Sequence, residues 1–166
     1  MSTQEIGRFG LEVVHDAEAA RNGRVRGLLW LARKGGPLKV ASLTNGPIAR
    51  SVVALERAAL CARVAADHKA DDILILDMRG LTPLYDFFVL ATGSSRRQLH
   101  NLAEGIDAAL RELGEQRLGI EGYEASRWIV QDYGDIVVHI FDPDARRFYA
   151  LEDLWADAPR IDWERI

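Results

Sequence analysis

Two short apolar runs that lie close together in the sequence constrain the fold more than any other feature. Asp72–Asp77 encloses Ile-Leu-Ile-Leu between charges, and Phe87–Ala91 follows after the turn-forming segment Arg79–Pro83. Apolar runs of this length, bounded by charged or turn-forming residues, are typical of strands buried inside a sheet. The sequence therefore predicts two buried strands, which other elements must cover.

Two amphipathic helices accompany these strands. The first is predicted from Ser51, a suitable N-cap, to about His68, because its apolar residues recur at spacings of three and four. The second follows the Thr92–Ser95 turn and ends before Gly114. Its apolar positions fit the helical period: Leu99, Leu102, Ala103, Ile106, Ala109, Leu110 and Leu113.

The order of the remaining elements sets the fold class. Three further β-like runs follow the second helix: Arg117–Gly122, Trp128–Tyr133 and Ile136–Phe141. The Gly134-Asp135 pair indicates a hairpin, and short helical segments are expected at Pro143–Tyr149 and Leu151–Trp155. We predict one α/β (α+β) domain at residues 51–160, with a mixed sheet of about five strands and two main helices, and a C-terminal tail at residues 161–166.

The first fifty residues differ from this domain in pattern and in charge. They show no sustained periodicity, although residues 11–20 and 25–34 allow short helices, and glycine and proline pairs interrupt them. Eight Lys and Arg against four Asp and Glu give residues 1–50 a charge of +4, so the rest must carry −8 to reach the total of −4. We predict a flexible N-terminal extension, or alternatively a basic arm that touches RNA.

The charge and composition of the domain narrow the class of partner. An acidic domain is poorly suited to gripping a nucleic-acid backbone and better suited to a basic protein. The single cysteine, Cys61, and the lack of Cys and His at metal-ligand spacing favour a reducing cytoplasm. The sequence has no run of eighteen apolar residues, so we expect no membrane span.

If the chain were an enzyme, the Gly93-Ser94-Ser95 turn would be the strongest candidate for its phosphate-binding or nucleotide-binding site. A helix N-terminus offers free amides to a phosphate, but no Gly-Lys-Ser/Thr or Gly-x-Gly-x-x-Gly sequence accompanies it, which favours a plain N-cap. Nucleotidyltransferases add two carboxylates one residue apart on a strand. Asp132 and Asp135 are three residues apart and straddle a turn, so they cannot both project from one face of a strand as metal ligands must. The sequence therefore does not favour catalysis of this kind.

Other reactive side chains also have structural interpretations. Cys61 lies on the apolar side of the first helix, and His139, between Val138 and Ile140, is expected to be a hydrogen-bonded structural histidine. We therefore predict no enzymatic activity, no metal and no cofactor. A nucleotidyltransferase-like enzyme that holds a nucleotide at Gly93-Ser94 is the alternative.

The strand that begins at Trp128 is the best candidate for recognition. With a period of two, Trp128, Val130 and Asp132 face one side of the sheet, while the alternate residues through Tyr133 face the other. A tryptophan that shares a face with an acid suits a protein interface, where partly exposed aromatic anchors dominate binding. A core tryptophan is an equally good interpretation of the pattern.

Ordered motifs over residues 52–160 carry a family resemblance. In the first half they are Asp71–Leu81, Tyr85–Val89 and Ala91–Arg96; in the second half they are Gly119–Gly122, Trp128–Val130, Asp132–His139, Tyr149–Trp155 and Ala158-Pro159. Together they resemble the ribosomal silencing factors of the RsfS/Iojap family. The resemblance implies a nucleotidyltransferase-like fold without the catalytic acids, and a protein that is not an enzyme.

The resemblance also implies a partner and a site. Members bind ribosomal protein fourteen of the large ribosomal subunit, block the joining of the small subunit and repress translation under nutrient limitation, and many form homodimers when free. The matching positions predict an interface with Trp128 as its anchor and with Asp132 and Asp135 as acidic complements to basic side chains; Glu121 and Tyr133 are further candidates.

Overall fold

The computed structural model describes residues 3–6, 11–14, 30–33 and 47–166, and the chain divides into two units, residues 1–53 and 54–166. In the first unit, the strands β1 (Thr3–Ile6), β2 (Leu11–Val14) and β3 (Trp30–Arg33) form an antiparallel sheet in the order β1-β2-β3. The sequence allowed short helices at residues 11–20 and 25–34, but Leu11–Val14 and Trp30–Arg33 within them are strands. Cross-strand pairing gives these short segments backbone hydrogen bonds that an isolated short helix lacks the length to sustain. Residues 47–50 of the predicted extension belong to the helix that leads into the second unit, and apart from the three strands its other residues lie outside the described ones.

The second unit contains the predicted helices and strands in the predicted order. Its elements, including the whole of the helix that leads into it, are α1 (Pro47–Asp67), β4 (Asp71–Asp77), β5 (Phe87–Thr92), α2 (Arg96–Glu112), β6 (Gly119–Glu121), β7 (Trp128–Asp132), β8 (Ile136–Phe141), α3 (Pro143–Tyr149), α4 (Leu151–Leu154) and β9 (Arg160–Ile161). The first helix begins at Pro47, earlier than the predicted start at Ser51, because proline is accepted in a first helical turn.

One mixed sheet organises this unit. Its strand order is β6-β7-β8-β5-β4-β9, with β5 parallel to β8 and all other neighbours antiparallel. The parallel pair requires a crossover, which α2 begins. The predicted α/β class with a mixed sheet is confirmed.

The sheet has six strands, one more than the predicted five. Ile75 and Leu76 of β4 pair with Ile161 and Arg160, at the point where the tail was expected to begin. Two residues are too few to show a strand pattern in a sequence. The edge of β4 nevertheless has backbone groups to satisfy, and the Asp77 N–H also donates to the Pro159 carbonyl at 2.8 Å.

The helices α1 and α2 cover one side of the sheet, which we call the helical face. Ser95 caps α2 by accepting a hydrogen bond from the Gln98 N–H. Of the apolar positions that the sequence predicts, the helix buries Leu99, Leu102, Ala103, Ile106 and Leu110, whereas Ala109 is half-buried and Leu113, at the C-cap, is exposed. Small residues of α1 let its backbone approach closely: Ala54, Ala58, Cys61, Ala62 and Ala65 are fully buried. This face is a closed aliphatic core.

The opposite side of the sheet, which we call the aromatic face, carries a second core. Phe88 of β5, Phe141 of β8 and Met78 pack there with Leu151 of α4, and half-buried Trp128 and Trp155 border them. Within residues 54–166, the helices on this side are α3 and α4, with seven and four residues. The aromatic face is therefore closed only in part.

Candidate functional site

The strand β7 presents its two faces as the period of two predicts. Trp128, Val130 and Asp132 are half-buried on the aromatic face, whereas Ile129 and Gln131 are fully buried against the helices. Glu121 of β6 pairs with Val130 across the ladder. Because directly opposed residues in a sheet point to the same side, Glu121 shares the aromatic face with Trp128 and Asp132.

Trp128 is both packed and accessible. Its ring stacks on Phe141 at 5.0 Å between centroids and lies 4.6 Å from the Tyr149 ring. The indole N–H donates to the Nδ1 atom of His139 at 3.3 Å. One side of the ring thus belongs to the second core, while part of the indole is exposed, as an interface anchor requires.

His139 lies behind Trp128 and is buried. Since Nδ1 accepts the indole proton, Nε2 carries the proton of the neutral ring, and within residues 47–166 it has no hydrogen-bond partner. Burial lowers the pKa of His139 to about 4, with a smaller contribution from the charge of Arg146. The expected structural histidine is therefore present, but only one of its two nitrogens is hydrogen-bonded.

Ring contacts continue from Trp128 in both directions across the sheet. Successive centroids are 5.5, 4.9, 5.9, 4.6 and 5.1 Å apart along a series that we call the aromatic row: Tyr85, Phe88, His139, Trp128, Tyr149 and Phe148. Phe148, at one end, is 81% exposed, and Leu154 on α4 is 73% exposed. Aromatic and apolar side chains exposed on the short helices of one face are typical of a protein-binding surface.

A buried arginine holds the short helices in place beside this row. Arg146 of α3 pairs with Glu152 of α4 at 2.9 Å and donates to Thr92 Oγ1 and to the Asp72 carbonyl oxygen. These bonds tie α3 and α4 to β4 and β5. The exposed rings of α3 are consequently carried on a fixed support.

The acidic candidates have local partners. Asp132 Oδ1 accepts a hydrogen bond from the Gly134 N–H at 2.7 Å, which closes the hairpin turn where Gly134 has a φ of +85°. Asp135 pairs with the guanidinium of Arg57 at 2.7 Å, and the same group pairs with Glu115 at 2.8 Å. Asp135 is thus turned towards α1, while Glu121 is exposed on the aromatic face.

Tyr133 lies on the other side of the sheet from Trp128. It is 5% exposed, and its hydroxyl donates to the buried carboxylate of Asp107 at 3.2 Å. Burial, followed by the charge of Asp107, raises the pKa of Tyr133 above its usual range. Of the five predicted interface residues, the structure brings together Trp128, Asp132 and Glu121, and it separates Tyr133 and Asp135 from them.

The Gly93-Ser94 turn has its polar groups engaged by the protein itself. The Ser94 N–H donates to Gln98 Oε1 at 2.8 Å, and the Gln98 side chain donates in turn to the carbonyl oxygens of His68 and Lys69. A Cβ atom on Gly93 would lie 2.7 Å from Leu99 Cδ1, so helix packing explains this glycine. The plain N-cap interpretation is confirmed.

Two further findings concern metal and membrane. Among the residues that the structure describes, no group of three or more His, Cys, Asp or Glu side chains is arranged to hold a metal ion. Nor is any described helix long and apolar enough to cross a bilayer.

The exposed members of the aromatic face were missed at the level of sequence. Phe148, Tyr149 and Leu154 lie in helical segments too short to bury all their apolar side chains. The adjacent pair Phe148-Tyr149 on a seven-residue helix was the available sign, because one of two neighbouring helical positions must point away from the core.

Comparison with known proteins finds one family. Residues 52–166 match the family model described as "Ribosomal silencing factor during starvation". A protein named ribosomal silencing factor RsfS from Halalkalibacterium halodurans is 37% identical over 107 residues, which cover 64% of this chain and 92% of the relative. The protein of that name from Bacillus subtilis is 41% identical over 103 residues, 62% of this chain and 87% of its own. The chloroplastic protein Iojap of Arabidopsis thaliana is 36% identical over 104 residues, 61% of this chain and 42% of its own.

Solved structures are similar as well. A structure from Chromobacterium violaceum has a TM-score of 0.59 and 39% identity, and covers 61% of this chain and 84% of that chain. A structure from Bacillus halodurans has a TM-score of 0.56 and 33% identity, and covers 68% of this chain and 98% of that chain. Both likenesses support the mixed α/β fold.

Proposed function

We propose that this chain, which belongs to the family of ribosomal silencing factors, binds the large ribosomal subunit through ribosomal protein fourteen and prevents the small subunit from joining. Translation would fall as a result, most usefully when nutrients are limiting. The complex would form in the cytoplasm. When the ribosome is absent, a second copy of the chain would cover the aromatic face in a homodimer.

The aromatic face is the observation that carries this proposal. Trp128 has a stacked, rigid backing and an accessible part, and it lies between the exposed Tyr149 and Phe148 on one side and Phe88 and Tyr85 on the other. A few aromatic anchors of this kind supply most of the binding energy in protein interfaces.

Charge supports a basic partner. Residues 51–166 carry a net charge of −8, which favours encounter with a ribosomal protein rich in Lys and Arg. Glu121 lies on the aromatic face and is exposed, so its carboxylate is available to a cation at the rim of the docking surface. The acid that best complements the anchor is therefore Glu121, ahead of the internally paired Asp132 and Asp135.

The mechanism is steric. A protein bound to a surface that the small subunit requires lowers the concentration of joined ribosomes in proportion to its occupancy, and no bond needs to be made or broken. The side chains at the site need only affinity and a fixed geometry.

Sedimentation of the purified full chain with large subunits tests the proposal. The protein should pellet with large subunits and lower the yield of joined ribosomes when small subunits are added. Trp128→Ala should weaken binding by about 30-fold, the effect of losing an anchor worth about 2 kcal/mol. Unchanged subunit joining at saturating protein would refute the function.

A second tryptophan provides a matched control. Trp163 lies in a 3-10 helical turn at Trp163–Arg165 and packs against the core of the helical face. Trp163→Ala removes the same side chain from the opposite side of the sheet and should leave binding unchanged. If both variants lose binding in step with their thermal stability, the effect of Trp128 is structural and the docking face is misassigned.

A further inference from the structure

The loop between β6 and β7 is held by an uncommon set of contacts immediately before Trp128. Ser126 is 6% exposed and has a φ of +55°, a backbone region that non-glycine residues rarely adopt. Its N–H donates to the Gly122 carbonyl oxygen at 3.0 Å, and its hydroxyl donates to the Tyr123 carbonyl oxygen at 2.8 Å. The loop is thus closed on itself around Ser126.

The helix α2 holds this loop from outside. His100 Nε2 lies 2.7 Å from Ser126 Oγ and 2.9 Å from the Tyr123 carbonyl oxygen. A carbonyl oxygen can only accept, so Nε2 must carry a proton, which it shares between the two oxygens. The His100 ring also stacks on Tyr123 at 4.2 Å, and the Tyr123 hydroxyl donates to Glu104 Oε1 at 2.6 Å. We call His100, Glu104, Tyr123 and Ser126 the loop clamp.

The clamp reaches Trp128 through the backbone. Gly122 has a φ of +73°, and a Cβ atom placed on it would lie 1.9 Å from the Trp128 carbonyl oxygen. Gly122 therefore rests directly against the Trp128 main chain, and Ser126 fixes Gly122 through its carbonyl oxygen. On the other side, the Asp142 N–H donates to the Arg127 carbonyl oxygen at 2.8 Å. The backbone at the start of β7 is therefore held by contacts on two sides, from Gly122 and from Asp142.

We propose that His100 and Ser126 are positioning residues for docking: through the clamped loop they hold Trp128 in the one orientation that suits the ribosomal partner. The inference rests on the proposed function. Trp128 is the first residue of β7, so the loop that ends at Arg127 sets where its backbone lies and therefore how the indole is seated against Phe141 and His139. An anchor whose position varies in the free protein loses affinity when binding fixes it. The clamp removes that cost before the partner arrives.

Three variants separate the hydrogen bonds from the packing. His100→Phe keeps a ring on Tyr123 but removes the N–H donor, and His100→Gln returns a donor at a similar reach. Ser126→Gly removes the hydroxyl while accepting the positive φ without strain. Asn101→Ala, at an exposed neighbouring position of α2, is the control.

Binding to purified large subunits and the Trp128 indole N–H resonance are measured together with thermal unfolding. We expect Ser126→Gly and His100→Phe to weaken binding roughly tenfold, to shift or broaden the indole resonance, and to change the melting temperature little. His100→Gln should recover most of the affinity, and Asn101→Ala should behave as the unchanged chain. If His100→Phe lowers stability as well, Ser126→Gly decides, because it leaves the His100–Tyr123 stack intact.

Trp128→Ala, measured in parallel, distinguishes this inference from the proposed function. If Trp128→Ala weakens binding while Ser126→Gly and His100→Phe bind normally, the clamp has no docking role and only the inference fails. If Trp128→Ala itself binds normally, the docking face is wrong and the inference falls with it. Affinity losses that merely follow lost stability across all variants would also overturn the positioning role.

Discussion

The two faces of the six-stranded sheet are built from different side chains for a reason that lies in helix length. On the helical face, α1 and α2 extend over 21 and 17 residues, and aliphatic side chains are fully buried beneath them. On the aromatic face, α3 and α4 have only seven and four residues, and several rings remain partly exposed. Long helices exclude water from a sheet, whereas short ones leave a border that stays accessible.

This difference indicates that the two faces have different roles, one in folding stability and the other in recognition. Close packing of aliphatic groups gives most of the free energy of folding, since each buried methylene contributes about 0.8 kcal/mol. Aromatic rings at the border contribute less to folding, because part of their surface remains in water, and that remaining surface is available to a partner. Stability is therefore expected to depend on the helical face and recognition on the aromatic face.

The largest expected effect is on the helical face. Leu110 of α2 is buried there, while Leu113 at the end of the same helix is 54% exposed, so the same substitution can be made at both. Leu110→Ala should lower the free energy of unfolding by about 2–5 kcal/mol because it opens a cavity. Leu113→Ala should change it by less than about 0.5 kcal/mol. Urea denaturation measures both, and similar losses would contradict a closed core beneath α2.

A pH dependence comes from the aromatic face. The pKa of His139 is about 4 in the folded protein, below the usual 6.5. Between about pH 4 and 6.5 the ring is therefore protonated in the unfolded chain and neutral in the folded one. The stabilisation from the neutral ring is complete above about pH 6.5 and is lost as the pH falls towards 4. It amounts to about 3 kcal/mol, at 1.36 kcal/mol for each pKa unit. Protonated Nδ1 also ceases to accept the Trp128 indole proton.

The control is a side chain that does not titrate. Unfolding free energies measured from pH 7 to 4 should fall for the unchanged chain and fall less steeply for His139→Gln. Asp77 acts in a different range. Its hydrogen bond with the Arg79 guanidinium lowers the pKa of that carboxyl, so its contribution is lost only below about pH 4. Equal slopes for both proteins between pH 7 and 4 would show that His139 is hydrated or bonded in the fold.

The features that the sequence predicts correctly are those set by local patterns, mainly on the helical face. The buried positions of α2 come from a local repeat, and the alternation of Trp128 and Ile129 across the sheet comes from strand geometry. Neither needs knowledge of distant residues. The helical face and the orientation of β7 were therefore accessible to sequence reasoning.

The features that the sequence did not reveal depend on contacts that no local pattern contains. Asp135 meets Arg57, a residue 78 positions away, and β9 exists only because the edge of β4 is available to it. The exposure of Phe148 depends on how Arg146 seats α3 on the sheet. Side-chain chemistry suggested acids and rings as candidates, but tertiary contacts decide which of them reach the surface.

The smallest effect on folding should accompany a clear effect on binding. Leu154 on α4 and Leu118 in the turn before β6 are 73% and 71% exposed, so Leu→Ala at each removes the same group from a similarly open position. Both variants should unfold within about 0.5 kcal/mol of the unchanged chain. Leu154 adjoins Trp155, which contacts Phe88 of the aromatic row edge to face at 6.0 Å, whereas Leu118 lies beside Gly134 in the hairpin turn.

Sedimentation with large subunits separates the two leucines. Leu154→Ala should weaken binding several-fold, because it removes apolar area that a partner on the aromatic face would cover, and Leu118→Ala should not. A loss of binding on Leu118→Ala alone would move the docking surface to the hairpin, where Asp135 has a side chain that is 45% exposed. Because neither variant should change the free energy of unfolding appreciably, a difference in affinity between them shows which side of the domain contacts the ribosome.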